Sequence, residues 1–163
     1  MEKILLSIEQ WNSMKDTDGL VDIPVWFQVT GNSMFPFICA FKDDVMIVSI
    51  PKEEYKIGDI VLFPAKRKGG DYCLHRLYKM DGDMVQTFGD GCKAPDGWIG
   101  RDKLLGKAVL IKKGNRTIDC ESPKWVKIFR FWNRFWRIRP VMLFPFRLIA
   151  KCKRIICRVH STQ

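Results

Sequence analysis

Tyr72-Cys73-Leu74-His75-Arg76-Leu77-Tyr78-Lys79-Met80-Asp81-Gly82-Asp83-Met84-Val85-Gln86-Thr87-Phe88 is the stretch on which the fold turns. Two runs rich in aromatic and aliphatic residues flank Lys79-Met80-Asp81-Gly82-Asp83, and an Asp-Gly pair between such runs predicts a hairpin turn. Similar runs lie to either side: Val25 to Thr30, Val45 to Ser49, Ile60 to Phe63 and Leu105 to Ile111, separated by Gly, Asp and Pro. Many short strands with tight turns predict a mainly β body over residues 21–121. Upstream, in residues 1–20, Ile4, Leu5, Ile8 and Trp11 recur at helical spacing before the polar Asp16-Thr17-Asp18-Gly19 run, which predicts a short N-terminal helix.

At Ser122-Pro123 the pattern changes, because a hydroxyl followed by proline is a helix start. From Lys124 to Arg139, the cations Lys127, Arg130, Arg134 and Arg137 step by three or four and so line one stripe. Trp125, Ile128, Phe129, Phe131, Trp132, Phe135, Trp136 and Ile138 cover most of the remainder. Pro140 and Pro145 interrupt this helix, and Arg147, Lys151, Arg154 and Arg158 repeat the stepping beside Leu148, Ile149, Ile155 and Ile156, which predicts a second one. The net charge of +10 belongs to this tail: residues 1–121 hold 17 Lys/Arg against 18 Asp/Glu, whereas residues 122–163 hold 11 Lys/Arg and no acid. A basic tail on a near-neutral body calls for an anionic surface. Interleaved Trp, Phe and Arg over residues 124–158 fit the headgroup boundary of an anionic membrane; packing of the aromatic face on the body is the alternative. No nucleic-acid motif accompanies the cations, which argues against nucleic acid as the partner.

The run Val141 to Phe146 is too short to span a bilayer, and the N-terminus, with short apolar stretches broken by charge, reads as neither signal peptide nor span. The six cysteines, Cys39, Cys73, Cys92, Cys120, Cys152 and Cys157, form no CxxC pair. Their irregular spacing predicts reduced thiols, with no disulfide framework, no metal and no cofactor.

The chemistry lies in Gly31-Asn32-Ser33-Met34-Phe35-Pro36 and in Leu74-His75-Arg76. A serine hydroxyl needs a base to take its proton and donors for the developing oxyanion. Gly31 permits a close approach to substrate and Pro36 sets the turn, so Ser33 is the candidate nucleophile; a hydroxyl that merely satisfies a turn is the alternative. Strand alternation places Cys73, His75 and Leu77 on one face and Leu74 and Arg76 on the other. The other histidine, His160, lies near the end of the tail, so a histidine base would be His75.

Together with Ile57-Gly58-Asp59-Ile60-Val61-Leu62-Phe63, Gly89-Asp90 and Leu105-Gly106-Lys107-Ala108, these blocks resemble, in order and spacing, the type I signal peptidase superfamily, which includes the LexA-like self-cleaving repressors. The resemblance covers about residues 25–112 and implies a signal-peptidase/LexA-like β-fold. A histidine in place of lysine makes the chain similar to the Ser/His branch of archaeal and endoplasmic-reticulum signal peptidases. That branch implies a supporting aspartate, here Asp96 six residues after Asp90, with Asp90 as the more distant alternative. Gly91-Cys92 stands where the branch has two asparagines. The resemblance further implies an oxyanion hole from the Ser33 N–H, with Asn32 as a candidate second donor because Gly31 carries no hydroxyl. It also implies an extended substrate beside Phe27, Gln28, Val29 and Thr30, with Met34 bordering the site.

The expectation is a serine endopeptidase that removes a signal or leader peptide through an acyl-enzyme, working at the cytoplasmic face of a membrane. Two alternatives stand beside it: a LexA-like self-cleaving regulator, although no helix-turn-helix precedes residue 25, and a non-catalytic β module that binds peptides or membranes.

Overall fold

The computed structural model describes residues 24–67 and 70–145. The expected N-terminal helix and the second tail helix lie outside these residues. Eight strands form one antiparallel sheet: β1 Val25–Gln28, β2 Asp43–Val48, β3 Ile60–Arg67, β4 Gly70–Asp81, β5 Met84–Phe88, β6 Trp98–Gly100, β7 Gly106–Lys113 and β8 Arg116–Asp119. The order is β1-β2-β7-β3-β4-β5-β6, with β8 also on β7. One edge of β7 pairs along β2; the other is shared, with Gly106 and Lys107 facing β3 and Leu110 to Lys113 facing β8. The mainly β expectation is therefore met.

The opening hairpin forms as its sequence dictates. Asp81 pairs with Met84, and Gly82 takes φ +52°, the left-handed region where a side chain is disfavoured. Lys113 pairs with Arg116 around Gly114 at φ +57° in the same way. That second hairpin adds β8, and Trp98–Gly100 adds β6; neither was expected.

From Ile60 to Phe63 both faces of β3 are buried, which this continuous apolar run requires. Ile60 and Leu62 join Val25, Val45, Ile47, Met34, Ile38 and Ile111 in one core, whereas Val61 and Phe63 join Cys73, Leu77, Val85, Tyr55 and Leu104 in the other. On β4, Cys73 and Leu77 reach the second core and Leu74 packs against the first, as alternation predicts.

After β8, Ser122 and Pro123 open α1, Pro123–Arg134. Its inner face buries Phe129, Trp132 and Asn133, with Phe37 meeting Trp125, Phe129 and Trp132 edge-on at centroid distances of 6.4, 5.4 and 5.2 Å. Such T-shaped pairs exploit the ring quadrupole. The tail's inner aromatic face thus packs on the body. The helix ends at Arg134, short of the expected Arg139; a 3-10 turn, Trp136–Ile138, follows, and residues 139–145 are helical again with Pro140 in the first turn, where its missing N–H costs nothing. Lys124, Lys127, Arg130, Arg134 and Arg137 are exposed, as are Phe131, Phe135, Ile138, Val141 and Phe144. No helix among the described residues is long and apolar enough to cross a membrane.

Candidate active site

β4 delivers His75 and Arg76 to opposite faces, and each receives a different aspartate. His75 is fully buried, its ring 6.2 Å from that of Phe63. Its Nδ1 lies 2.5 Å from Asp96 Oδ2. Asp96 is itself held by β5: Thr87 Oγ1 donates to Oδ2 at 2.7 Å, the Asp96 N–H donates to Thr87 O at 2.8 Å, and Gln86 Nε2 donates to Asp96 O at 2.8 Å. A carboxylate can only accept, so Nδ1 carries a proton and Nε2 is left for other work. Nε2 is buried and has no hydrogen-bond partner among the described residues.

Nε2 borders the Ser33 loop across Gly89. A carbon attached to Gly89 Cα would stand 2.9 Å from His75 Nε2, 2.7 Å from the Ser33 carbonyl oxygen and 2.6 Å from Cys92 Sγ. Only glycine fits between these groups. The Ser33 carbonyl also accepts from the Gly91 N–H at 2.8 Å, so the Ser33 loop and the Gly89-Asp90-Gly91 turn are tied directly.

Beyond Ser33, which is half-buried, the loop is clamped at its far end. The Ile38 N–H donates to Met34 O at 3.0 Å and the Cys39 N–H to Asp43 Oδ2 at 2.7 Å, while Lys113 pairs with Asp43 and donates to Phe37 O at 2.7 Å. The Phe35–Pro36 peptide within it is cis.

Asp90 does not reach His75. Its carboxylate takes a bidentate pair from Arg76, Nε to Oδ1 at 2.9 Å and Nη2 to Oδ2 at 2.6 Å, with both side chains fully buried. Arg76 Nη1 donates to Gly58 O at 2.7 Å, and the guanidinium lies 4.1 Å from the Phe129 ring centroid. The alternation that aims His75 at Asp96 aims Arg76 away from it, and a buried cation requires its own anion. Met34, expected to border the substrate, is 1% exposed in the core. Asn32 is exposed and its Oδ1 accepts from the Ala40 N–H at 3.4 Å, which leaves its amide nitrogen as the available donor. β1 is the last strand of the sheet and pairs only with β2 among the described residues; Gln28 and Thr30 are exposed, while Phe27 and Val29 lean on the core.

Three residues at the site escaped the sequence reading. Thr87 and Gln86 hold Asp96, and a polar pair at the buried end of a strand was their only signal. Arg139 comes from the tail: it is 1% exposed, its guanidinium lies 4.4 Å from the Phe88 ring centroid, and Nη1 donates to Gly89 O at 3.3 Å. Burial pulls its pKa down to about 10, with the Asp90 carboxylate opposing. Two residues after Arg137, it falls off the three-or-four stepping of the exposed cations, and that offset was its signal.

Electrostatically, burial acting alone would lower the pKa of His75, but hydrogen bonding to Asp96, with the nearby Cys73 and Cys92 thiols, outweighs it and raises the group to about 11. Cys92 Sγ and His75 Nε2 both border Gly89, at 2.6 and 2.9 Å from the point where its side-chain carbon would stand. The four cysteines of the described residues are free. A separate cavity between α1 and the sheet is lined by Asp59, Lys107, Glu121 and Arg130 among others; Ser33, His75 and Asp96 do not line it, while Gly58 and Phe129 do and also contact Arg76. Its Lys107 and Glu121 are paired at 2.5 Å.

No family model and no curated protein matches the sequence.

Proposed function

We propose that the chain is a serine endopeptidase of the Ser/His signal-peptidase type, which removes a signal or leader segment through an acyl-enzyme. The observation that carries the reading is the Asp96–His75 hydrogen bond, whose far nitrogen borders the Ser33 loop across Gly89. Ser33 Oγ attacks the scissile carbonyl while His75 Nε2 accepts its proton. Asp96 keeps the ring oriented and stabilises the imidazolium. The Ser33 N–H, with the Asn32 amide, donates to the oxyanion. His75 then returns the proton to the leaving amine, and a water activated by the same nitrogen releases the acyl group.

The place of β1 at the end of the strand order among the described residues supports substrate binding as an added strand along it. The tail's exposed cations and aromatics support a peripheral seat on an anionic membrane. The test is cleavage of leader-bearing peptides, followed by mass spectrometry. Ser33→Ala and His75→Ala should each lose activity by about 10³-fold or more, and Asp96→Asn by a comparable factor with the fold intact. Activity that survives in both Ser33→Ala and His75→Ala would remove the proposal.

A further inference from the structure

Cys92 takes no part in the proposed chemistry, yet its sulfur lies inside the site. The point where a Gly89 side-chain carbon would stand is 2.6 Å from Cys92 Sγ and 2.9 Å from His75 Nε2. The sulfur, the imidazole nitrogen and the Ser33 carbonyl therefore border one small volume. The second observation is Nε2 itself, which belongs to a fully buried ring and has no hydrogen-bond partner among the described residues. Cys92 is half-buried with a free thiol, whereas Cys73 and Cys120 are buried.

We propose that Cys92 is a covalent modification site, where a small disulfide leaves an adduct that crowds the tight contact among Gly89, the Ser33 carbonyl and His75 Nε2, displaces the imidazole and shuts the site. The Cys92 thiolate attacks one sulfur of the disulfide; a new S–S bond forms as the old one breaks. The other sulfur leaves as a thiolate and takes up the proton that Cys92 released. An added dithiol reverses the exchange. The block follows from space: an adduct brings at least two heavy atoms to a place where a single carbon on Gly89 already collides. Loss of Ser33 chemistry rests on the hydrolase reading, but the adduct and its contact with His75 do not.

The test treats the full chain with methyl methanethiosulfonate, which leaves a methylthio group on sulfur and releases methanesulfinate. Peptide mapping locates the adduct, a fluorophosphonate probe reads Ser33, and proton–nitrogen spectra read His75 Nε2. Modification of Cys92 should shift the Nε2 resonance and lower Ser33 labelling by about 10²-fold, the scale expected for a displaced reacting group. Dithiothreitol should restore both, and Cys92→Ala should be insensitive to the reagent. The proposal is overturned if half-buried Cys39 is modified while Cys92 is not, or if complete modification of Cys92 leaves the Nε2 resonance or existing Ser33 labelling unchanged. Should untreated protein show no Ser33 labelling, the hydrolase reading falls, and the Nε2 resonance alone decides the modification site.

Discussion

At His75, burial and a carboxylate pull in opposite directions. Burial disfavours the imidazolium, yet the Asp96 contact wins and raises the group to about 11. A base must lose its proton before it can accept one from Ser33, so the proposed peptidase should gain activity as pH rises from neutral into the alkaline range. The sign follows directly: a raised pKa moves the basic form to higher pH. Asp96→Asn removes the main group that holds the proton and should move this limb to lower pH while reducing its plateau, because the ring loses its orientation. A pH profile of kcat/KM for both proteins checks this. A limb that stays in place when the carboxylate is removed would show that Asp96 does not set the ionisation of His75.

At the scale of elements, β4 shows what sequence could and could not reveal. Strand period two put His75 on the Cys73 and Leu77 face, and the structure agrees because both neighbours are apolar and must share a core. The same period put Arg76 opposite, but its partner lies fourteen residues away beyond a hairpin, and no local pattern encodes such a pairing. Asp90 and Asp96 were thus candidates for one role when read along the chain, and occupy two places in space. The Gly114 hairpin was missed although Gly114-Asn115 is turn chemistry, whereas β6, only three residues long, carried no such signal. The Arg76–Asp90 pair makes a prediction at this scale. Asp90→Ala would leave a buried guanidinium without its anion, which costs about 3–5 kcal/mol. Denaturant unfolding should show that loss, together with weakening of the turn that carries Gly89. A variant of unchanged stability would mean that water or another acceptor reaches Arg76.

Over the whole molecule, the tail serves both sides of the charge pattern seen in the sequence. Inward, it is structural: Phe129 joins the first core, Trp132 packs edge-on against Phe37, and Arg139 reaches the carbonyl of Gly89 in the site. Outward, Phe131, Phe135, Ile138, Val141 and Phe144 are exposed alongside Lys127, Arg130, Arg134 and Arg137, and the Phe131 and Phe135 rings lie 4.6 Å apart by centroid. Water penalises such an apolar group, whereas a headgroup boundary accommodates rings and draws cations to anionic lipid. The full chain should therefore sediment with vesicles that contain an anionic phospholipid, bind zwitterionic vesicles less, and dissociate as salt rises. Replacing Lys127, Arg130, Arg134 and Arg137 by glutamine should weaken binding by about 1 kcal/mol for each charge near the surface, while Phe131→Ser and Phe144→Ser should weaken it at any salt concentration. Because these side chains are exposed, the variants should keep the unfolding midpoint of the parent protein. Equal partition to anionic and zwitterionic vesicles would assign the exposed face to a different kind of surface, and loss of stability in the glutamine variant would return those cations to the fold.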